Sequence, residues 1–325
     1  MSTTSVEALL LLGDLAGLTE DLEQANACYH QALDLAGDEP TRVLIQNKLH
    51  CPKTALRDGA RIMFYEHGSG EHTLLFVNPI VYGLAVFQPI LEQLCQEFRI
   101  VTIDCRGTGS SDPLTRPFPL SEHAEDVAAV IESAGCRSVT GVGISRGSNL
   151  LVKLAVARPD MIGNLVLVGC PLAPPDSGHL RTFSADYARR RAAAYQRQDV
   201  EELLKLQNEF VYSEPGTEEL KRSVLEHRLK LPPDTILSFY DPDPEADVSG
   251  LLRDLGRPTL IMHGTDDRLI LFDTAKYMAE QIPGATLYAF EGKGHLPIFT
   301  ATTEFCGVLR RFVRGNGAPV RGRTG

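Results

Sequence analysis

Short apolar runs that alternate with helical patterns constrain the fold of this chain more than any other feature. The runs lie at residues 60–66, 73–77, 99–104, 139–144, 165–168, 258–264 and 285–290. Apolar residues at helical spacing lie between or after them, at 87–95, 121–134, 149–157, 273–281 and 301–313. Strands that are apolar throughout are typical of parallel sheets covered on both faces, and alternation with helices builds such sheets. The pattern therefore predicts an α/β fold with a mostly parallel sheet covered by helices on both faces.

The alternation stops between residues 173 and 250, where the chain becomes polar and helix-like. Helical patterns lie at 187–198, 200–212 and 218–229, and turns rich in proline and aspartate separate or follow them. We expect this stretch to be a helical insertion placed over one edge of the sheet.

Residues 1–50 contain helical patterns only. An L-x-x-L-G-x-x-A motif from Leu9 to Ala16 is followed by an A-x-x-x-Y-x-x-A motif from Ala25 to Ala32. This order resembles the tetratricopeptide repeat, whose small and aromatic residues let two helices pack closely, and a third helix would begin near Asp38. One repeat and part of another fall short of the roughly three repeats that a stable array needs. A simple helical hairpin is therefore the alternative.

The net charge and the cysteine content limit the kinds of partner and the cellular environment that we expect for the chain. It has 325 residues, a net charge of −10 and 7 cysteines without C-x-x-C spacing. The negative charge disfavours nucleic acid and anionic membranes as partners, and no apolar run approaches the roughly 20 residues needed to cross a bilayer. The cysteine spacing, and an N-terminus without the basic start of a secretory signal, predict a cytoplasmic protein with reduced thiols. We expect no metal and no cofactor.

A glycine-bounded serine stands where the run at 139–144 meets the helical pattern at 149–157. The stretch is Gly143-Ile144-Ser145-Arg146-Gly147. A strand, a tight turn and a helix in this order are the context of a nucleophile elbow, whose strained serine requires small residues two positions before and after it. The N-terminus of the following helix directs its amide groups toward charge that develops beside Ser145. The alternative is an ordinary glycine-rich turn with a structural serine.

An aspartate and a histidine follow two later strands. Asp267 comes just after the run at 258–264, and His295 comes just after the run at 285–290. The carboxyl ends of parallel strands lie at one edge of a sheet, where ligands bind, so we expect these side chains to meet Ser145. Asp266 is the rival of Asp267, and the spacing from the preceding glycine favours Asp267. His263 precedes this turn and is expected to be packed or hydrogen-bonded.

Taken together, these features resemble the α/β-hydrolase fold. The matching motifs are Asp104-x-Arg106-Gly107-x-Gly109-x-Ser111, Gly143-x-Ser145-x-Gly147, Gly264-x-x-Asp267 and Gly294-His295. The resemblance implies a hydrolase core at 51–172 and 251–314 with a helical cap at 173–250. The tetratricopeptide-like segment at 1–50 would precede this core, and a disordered tail rich in glycine, proline and arginine would follow it at 315–325.

The resemblance implies a Ser-His-Asp triad. Ser145 would be the nucleophile, His295 the general base and then acid, and Asp267 the carboxylate that orients the imidazole. The residue types suit this chemistry, because a serine hydroxyl attacks a carbonyl at neutral pH only when a base such as imidazole takes its proton.

The expected oxyanion hole departs from the pattern of the family. The backbone amide of Arg146 is one expected donor. The loop that supplies the second donor usually begins His-Gly, but this chain has Asn78-Pro79-Ile80 there, and proline has no amide hydrogen. The Ile80 amide is therefore the expected second donor. Ser148 and Asn149 also replace the small residues that are more usual after the nucleophile.

The resemblance implies a serine hydrolase that cleaves a carboxylic ester, thioester or lactone through an acyl-enzyme. Hydrolysis of a carbon–carbon bond and cofactor-free peroxidation use the same triad and stay open, whereas halide removal needs a carboxylate where this chain has Ser145. The alternative is a small-molecule sensor or protein-interaction module with little turnover, because a fold alone does not establish activity. The expected partners are a small acyl substrate and, through residues 1–50, another protein or a second copy of the chain.

Several other residues are expected to have structural roles. Asp104 and Arg106 are expected to hold a loop. The run Arg189-Arg190-Arg191 is expected to be a solvated helix face, with a phosphate or carboxylate contact as its alternative. The Arg146 side chain is expected to pair with a carboxylate, with an acidic substrate group as its alternative. Core thiols are expected at Cys105, Cys136 and Cys170.

Overall fold

A sheet of eight strands organises the part of the chain that the structure describes. The computed structural model describes residues 6, 9, 22–37, 52–77, 87–114, 118–175, 180–241 and 243–315. The strands are β1 (Pro52–Arg57), β2 (Ala60–His67), β3 (Thr73–Val77), β4 (Arg99–Ile103), β5 (Val139–Ile144), β6 (Ile162–Val168), β7 (Thr259–Gly264) and β8 (Thr286–Phe290). Their spatial order is β1-β2-β4-β3-β5-β6-β7-β8; β1–β2 and β2–β4 are antiparallel, and every other pair is parallel. The expected α/β architecture with a mostly parallel sheet is confirmed.

The described residues form eleven α-helices, several of which connect the strands and cover both faces of the sheet. They are α1 (Leu22–Leu35), α2 (Gln88–Leu94), α3 (Leu120–Ser133), α4 (Arg146–Ala157), α5 (Ala185–Gln196), α6 (Val200–Val211), α7 (Glu218–Arg228), α8 (Pro233–Ser238), α9 (Phe272–Gln281), α10 (Pro297–Thr300) and α11 (Thr302–Arg314). Alternate residues of a strand point to opposite faces. In β6, Val166 and Val168 therefore join the core shared with α2 and α11, and Leu165 and Leu167 join the core shared with α3, α4 and α9. With both faces covered, β5 and β7 are buried at every position.

The helices α5 to α8 form an insertion between β6 and β7, and we term them the inserted helices. Ser184 and Asp199 begin the first two by accepting hydrogen bonds from the amides of Tyr187 (3.3 Å) and Glu202 (3.0 Å), which satisfies amides that a helix start leaves without partners. The inserted helices also share a small apolar core of their own, formed by Ala194, Leu203, Leu204, Ile236, Phe239 and Tyr240.

The chain leaves the sheet for the inserted helices and returns to it at one point. The Val248 amide donates to the Leu172 carbonyl at 2.9 Å. The residues just before this junction, which we term the return segment (243–248), carry Asp243 and Glu245. Their carboxylates accept hydrogen bonds from the first amides of α3, at 3.0 and 3.2 Å. Acidic groups at a helix N-terminus are stabilising, so the return segment is bound to the core.

The structure contains elements that the sequence pattern does not predict. β1 is an edge strand with mostly exposed side chains, so it lacks the apolar run of the other strands. α8 and α10 have 6 and 4 residues, which is too short to show helical periodicity. The Pro232-Pro233 pair, one of the proline-rich stretches expected to form turns between the helices, starts α8, because proline is well tolerated in the first turn of a helix.

Within residues 1–50, α1 covers the second predicted motif. Tyr29 and Ala32 are buried and pack with Leu9 in a small cluster. The tetratricopeptide-like interpretation stays a prediction, because the helix expected near Asp38 lies outside the described residues. The described residues also exclude the Asn78-Pro79-Ile80 loop and the tail beyond residue 315. Among the described residues, no helix is both long enough and apolar enough to cross a membrane.

Candidate active site

Ser145 lies in the tight turn between β5 and α4. Its backbone has a φ of 51° and a ψ of −125°, a conformation that a residue other than glycine adopts only when its surroundings enforce it. The turn approaches Gly143 so closely that an added Cβ there would lie 2.6 Å from the backbone nitrogen of Ser148. A strained serine directly after a buried strand is the arrangement that presents a nucleophile at the edge of a sheet.

Hydrogen bonds hold the turn in this strained conformation. The Ser145 amide donates to the Val168 carbonyl at 2.7 Å. The buried Ser148 hydroxyl donates to the Gly143 carbonyl at 2.7 Å and accepts from the Val168 amide at 3.2 Å. Asn149 Nδ2 donates to a backbone carbonyl of the return segment at 3.0 Å. Ser148 and Asn149, the departures from the usual small residues, thus tie the turn to β6 and to the return segment.

The Asp267 carboxylate and the His295 imidazole form a buried pair. His295 Nδ1 lies 2.7 Å from Asp267 Oδ2, and Asp267 Oδ1 accepts from the amides of Leu269 (2.8 Å) and Ile270 (2.9 Å). Burial by itself raises the pKa of Asp267, but the charge of His295 and the hydrogen bonds from imidazole groups outweigh it and hold the pKa well below its usual range. The carboxylate is therefore ionised and accepts the Nδ1–H of His295.

A second imidazole contacts the same carboxylate oxygen. His263, the penultimate residue of β7, is fully buried, with Nε2 3.2 Å from Asp267 Oδ2 and 3.1 Å from the Ile270 carbonyl oxygen. Both neighbours are acceptors, so Nε2 carries a hydrogen and donates it. His263 is hydrogen-bonded, as expected, but its position before the turn did not reveal that its partner is the carboxylate of the candidate site.

Gly169 brings the histidine and the serine turn side by side. It directly follows Val168, whose carbonyl accepts the Ser145 amide. An added Cβ at Gly169 would lie 3.0 Å from His295 Cε1, and its φ of +54° also favours glycine. The His295 imidazole therefore lies against the backbone of Gly169, and the neighbouring Val168 accepts the hydrogen bond of the Ser145 amide.

The structure brings together three of the predicted site residues and separates others from them. Ser145, Asp267 and His295 lie at the carboxyl ends of β5, β7 and β8, on one edge of the sheet. Asp266 is exposed, and its carboxylate accepts a hydrogen bond from the neighbouring threonine hydroxyl at 3.3 Å. Ile80 lies outside the described residues.

Arg146 begins α4 directly after the serine. Its amide belongs to the first turn of the helix, where amides have no partner within the helix and are available to an anion. Its guanidinium donates to Asp243 Oδ2 in the return segment at 3.1 Å. The expected ion pair is thus present, and it links the serine turn to the return segment.

A cavity of about 780 Å³ opens between the serine turn and the inserted helices. Ser145 lines it together with apolar and aromatic side chains, which include Leu120, Ala173, Phe183, Tyr187, Tyr195 and Phe239. Charged groups also reach it, namely Arg146, Arg191, Asp241, Asp243 and Asp247. The cavity is therefore amphipathic, and Ser145 and Arg146 of the serine turn form part of its wall.

The three consecutive arginines of α5 have different environments. Arg189 and Arg190 pair with acidic residues of α5 and α6 at 2.5 and 2.9 Å, as expected for a solvated face. Arg191 instead lines the cavity and donates to the Tyr240 carbonyl at 2.9 Å. The expectation of a solvated face is thus wrong for Arg191, because the helix turns this one side chain toward the cavity.

The remaining predicted structural residues lie outside the serine turn. Asp104 Oδ2 accepts from the Ser110 amide at 3.0 Å, and Arg106 pairs with a buried aspartate at 2.7 Å, so both hold the loop after β4. Burial raises the pKa of the Cys170 thiol to about 12, and burial together with the nearby Asp126 and Asp104 carboxylates raises the pKa of the Cys105 thiol to about 12. The Cys136 side chain is partly buried. Within the described residues, no cluster of three or more His, Cys, Asp or Glu side chains is arranged to hold a metal ion.

The fold and the arrangement of the site agree with a known family. The family model of the alpha/beta hydrolase fold matches residues 63–302, which is most of the chain. The chain belongs to the α/β-hydrolase fold family, as its motifs indicated.

Several curated and solved relatives of the chain are named as hydrolases or esterases. A 2-hydroxy-6-oxononadienedioate/2-hydroxy-6-oxononatrienedioate hydrolase of Cupriavidus pinatubonensis is 27% identical over 256 residues, which are 76% of this chain and 84% of that protein. The esterase RhEst1 from Rhodococcus sp. ECU1013 has a TM-score of 0.72 at 23% identity and covers 82% of this chain and 99% of its own. Est816, described as an N-acyl homoserine lactone degrading enzyme, has a TM-score of 0.70 at 22% identity, over 80% of this chain and 100% of its own. The expectation of a hydrolase is confirmed.

Proposed function

We propose that this chain is a serine hydrolase that cleaves a carboxylic ester, thioester or lactone through an acyl-enzyme on Ser145. The observation that carries the proposal is the buried contact of 2.7 Å between His295 Nδ1 and Asp267 Oδ2, at the sheet edge where Ser145 stands in its strained turn. A carboxylate that holds the hydrogen on Nδ1 leaves Nε2 free to act as the base.

Acylation would proceed by attack of Ser145 Oγ on the carbonyl carbon while His295 Nε2 takes the hydroxyl proton. The ionised Asp267 stabilises the imidazolium that forms. The amides of Arg146 and Ile80 are the proposed donors to the carbonyl oxygen, which becomes negatively charged. Loss of one such donor costs about 3 kcal/mol of barrier in a serine protease.

Collapse of the tetrahedral intermediate breaks the bond to the leaving group, and the imidazolium returns the proton to the departing alcohol or thiol. His295 then takes a proton from water, which attacks the acyl-enzyme. The imidazolium then returns this proton to Ser145 Oγ as the bond between serine and the acyl group breaks, which releases a carboxylic acid and restores Ser145 and the His295 base.

The inserted helices are proposed to be the cap that selects the acyl group. The cavity of about 780 Å³ lies within the range of roughly 300–1,000 Å³ that is typical of small-molecule sites. Its aromatic walls and its charged groups favour a small or medium substrate that carries both apolar and polar parts. Hydrolysis of a carbon–carbon bond is an alternative outcome of the substrate test, because the Cupriavidus relative is named as an oxo-dienedioate hydrolase.

The first test is labelling with a fluorophosphonate probe, followed by a panel of esters, thioesters and N-acyl lactones of increasing acyl length. Wild type should be labelled and Ser145→Ala should not. Ser110→Ala, which removes an exposed serine elsewhere, should be labelled like wild type. Folded wild-type protein that resists the probe and turns over no substrate would refute the proposal and favour the small-molecule sensor.

We also propose that residues 1–50 contact a protein partner or a second copy of the chain, and that the protein works in the cytoplasm with reduced thiols. The resemblance of residues 1–50 to a tetratricopeptide repeat, a unit that cannot bury its own apolar face alone, motivates the first proposal. The mass in solution of the full chain and of a chain that begins at residue 51 should differ by more than the deleted residues. Equal assembly states, with no partner lost, would refute the first proposal.

A further inference from the structure

The loop that carries His295 is packed against β7 on one side. An added Cβ at Gly264, the last residue of β7, would lie 2.2 Å from the carbonyl oxygens of Lys293 and Gly294. The loop backbone therefore rests directly on the end of the strand. The Lys293 carbonyl also accepts the Asp266 amide at 2.9 Å. These contacts fix the loop from the side of the sheet.

Glu214, in the turn after α6, binds the opposite side of the same loop. Its Oε1 accepts from the Gly294 amide at 2.7 Å and from the Thr300 hydroxyl at 2.8 Å. Its Oε2 lies 3.6 Å from Lys293 Nζ, and the side chain is only 14% exposed. Gly294 directly precedes His295, so a carboxylate from the inserted helices binds one peptide unit away from the proposed base.

The turn that presents Glu214 is itself held in place. The Thr217 hydroxyl donates to the Glu214 carbonyl at 2.6 Å and closes the turn. The Tyr212 ring lies 6.4 Å from the Phe299 ring of α10, measured between centroids. Phe210, near the end of α6, is buried in the main apolar core. The carboxylate is therefore presented from a defined position.

We propose that Glu214 is a positioning residue that aligns His295 from the inserted helices. The inference rests on the proposed function, in which His295 is the base. Because Glu214 belongs to the insertion and Gly294 to the core, the base is aligned only when the inserted helices are seated over the cavity. A displacement of about 1 Å in a reacting group lowers a rate on the order of 100-fold, so loss of this contact should lower turnover more than binding.

Two substitutions of Glu214 distinguish the effect of side-chain length from the effect of side-chain charge. Glu214→Gln keeps an oxygen that can accept from Gly294 but loses the charge, and Glu214→Asp keeps the charge but is shorter by one methylene group and loses the reach. The matched control is Glu209→Gln, because Glu209 lies on α6 just before this turn and forms an ion pair at 2.9 Å with Arg190. Each variant is compared with wild type for kcat, KM, the rate of fluorophosphonate labelling and urea unfolding.

The expected result is a 10- to 100-fold loss of kcat and of labelling rate in Glu214→Asp, with KM changed less than about threefold. Glu214→Gln should retain most of the rate, and Glu209→Gln should match wild type. A folded Glu214→Asp with the wild-type labelling rate would overturn the inference. So would a Glu214→Gln as slow as Glu214→Asp, because charge rather than position would then matter.

A second readout does not depend on turnover. The Nδ1–H of His295, donated to Asp267, should give a downfield proton resonance in protein with nitrogen-15-labelled histidine. In Glu214→Asp this resonance should shift or exchange faster with water than in wild type and in Glu209→Gln. An unchanged resonance overturns the positioning role. If wild type proves inactive, the proposed function fails, and this resonance still decides whether Glu214 aligns the histidine.

Discussion

Replacement of Asp267 by asparagine tests the proposed chemistry most directly. Each carboxylate oxygen accepts two hydrogen bonds, Oδ1 from two backbone amides and Oδ2 from two imidazoles. An asparagine NH₂ must face two donors in either orientation. The asparagine NH₂ is accommodated better on the side of the imidazoles than on the side of the backbone amides, because an imidazole can change its tautomer and a backbone amide cannot. His295 would then carry its hydrogen on Nε2 and could no longer act as the base.

The magnitude follows from that tautomer change. In a serine protease triad, the same substitution lowers kcat by about 10⁴, which corresponds to about 5.4 kcal/mol of barrier. The lost charge-assisted hydrogen bonds should also lower the free energy of unfolding by about 1–3 kcal/mol. The assays are ester hydrolysis, fluorophosphonate labelling and urea unfolding, and the fold is checked by circular dichroism.

Asp266→Asn is the matched control, because Asp266 is the exposed neighbour and the rival in the sequence motif. It should stay within about twofold of wild type in rate and within about 0.5 kcal/mol in stability. A folded Asp267→Asn that retains more than a tenth of the wild-type rate would refute the reasoning. An Asp266→Asn that loses as much as Asp267→Asn would refute the assignment of the carboxylate.

Three further outcomes are expected. Ser145→Gly should be about 1 kcal/mol more stable to urea than Ser145→Ala, because glycine adopts a φ of 51° without strain; equal stability would argue against a strained turn. Asp243→Ala should lower the free energy of unfolding by about 3 kcal/mol, because it leaves Arg146 without its carboxylate and the Leu120 amide without its acceptor; a loss below about 1 kcal/mol would contradict this. The folded-state pKa of Asp267 lies below the unfolded value of 3.8, so the stability from its ionised form is complete above about pH 5 and is lost as the pH falls. Asp267→Asn should therefore show a shallower decrease in unfolding free energy below pH 4 than wild type.

The central strands could be predicted from the sequence because burial on both faces selects apolar residues. β3 and β5 are covered on both faces, so most of their residues are apolar, and the predicted ranges 73–77 and 139–144 equal the observed ones. β1 shows the opposite case: among the described strands it pairs with β2 alone, and it exposes most of its side chains. Its pairing with β2 depends on backbone hydrogen bonds, which any residue except proline can donate.

Site residues could be predicted from the sequence only where a residue type suited to catalysis directly follows a strand. Ser145, Asp267 and His295 follow strands of the sheet within a few residues, so topology alone brings them to one edge. Glu214 and Asp243 contact the loop and the turn from 80 and 97 positions away along the chain. No local pattern encodes such contacts, and both residues stand in polar stretches that resemble ordinary solvated turns.

The hydrogen bond between Leu172 and Val248 has a consequence for how this chain folds and how it tolerates change. β6 and β7 are neighbours, yet about 90 residues separate them along the chain. Compared with a crossover of about 20 residues, the longer connection adds only about 1.3 kcal/mol of loop-closure free energy. The inserted segment begins at Leu172 and ends at Val248, and these two residues are joined by a hydrogen bond. The register of β6 and β7 therefore does not depend on the length of the segment. We therefore expect insertions in the turns between the inserted helices to be accepted while the sheet still assembles, whereas changes in the return segment, which binds α3 and Arg146, should destabilise the fold.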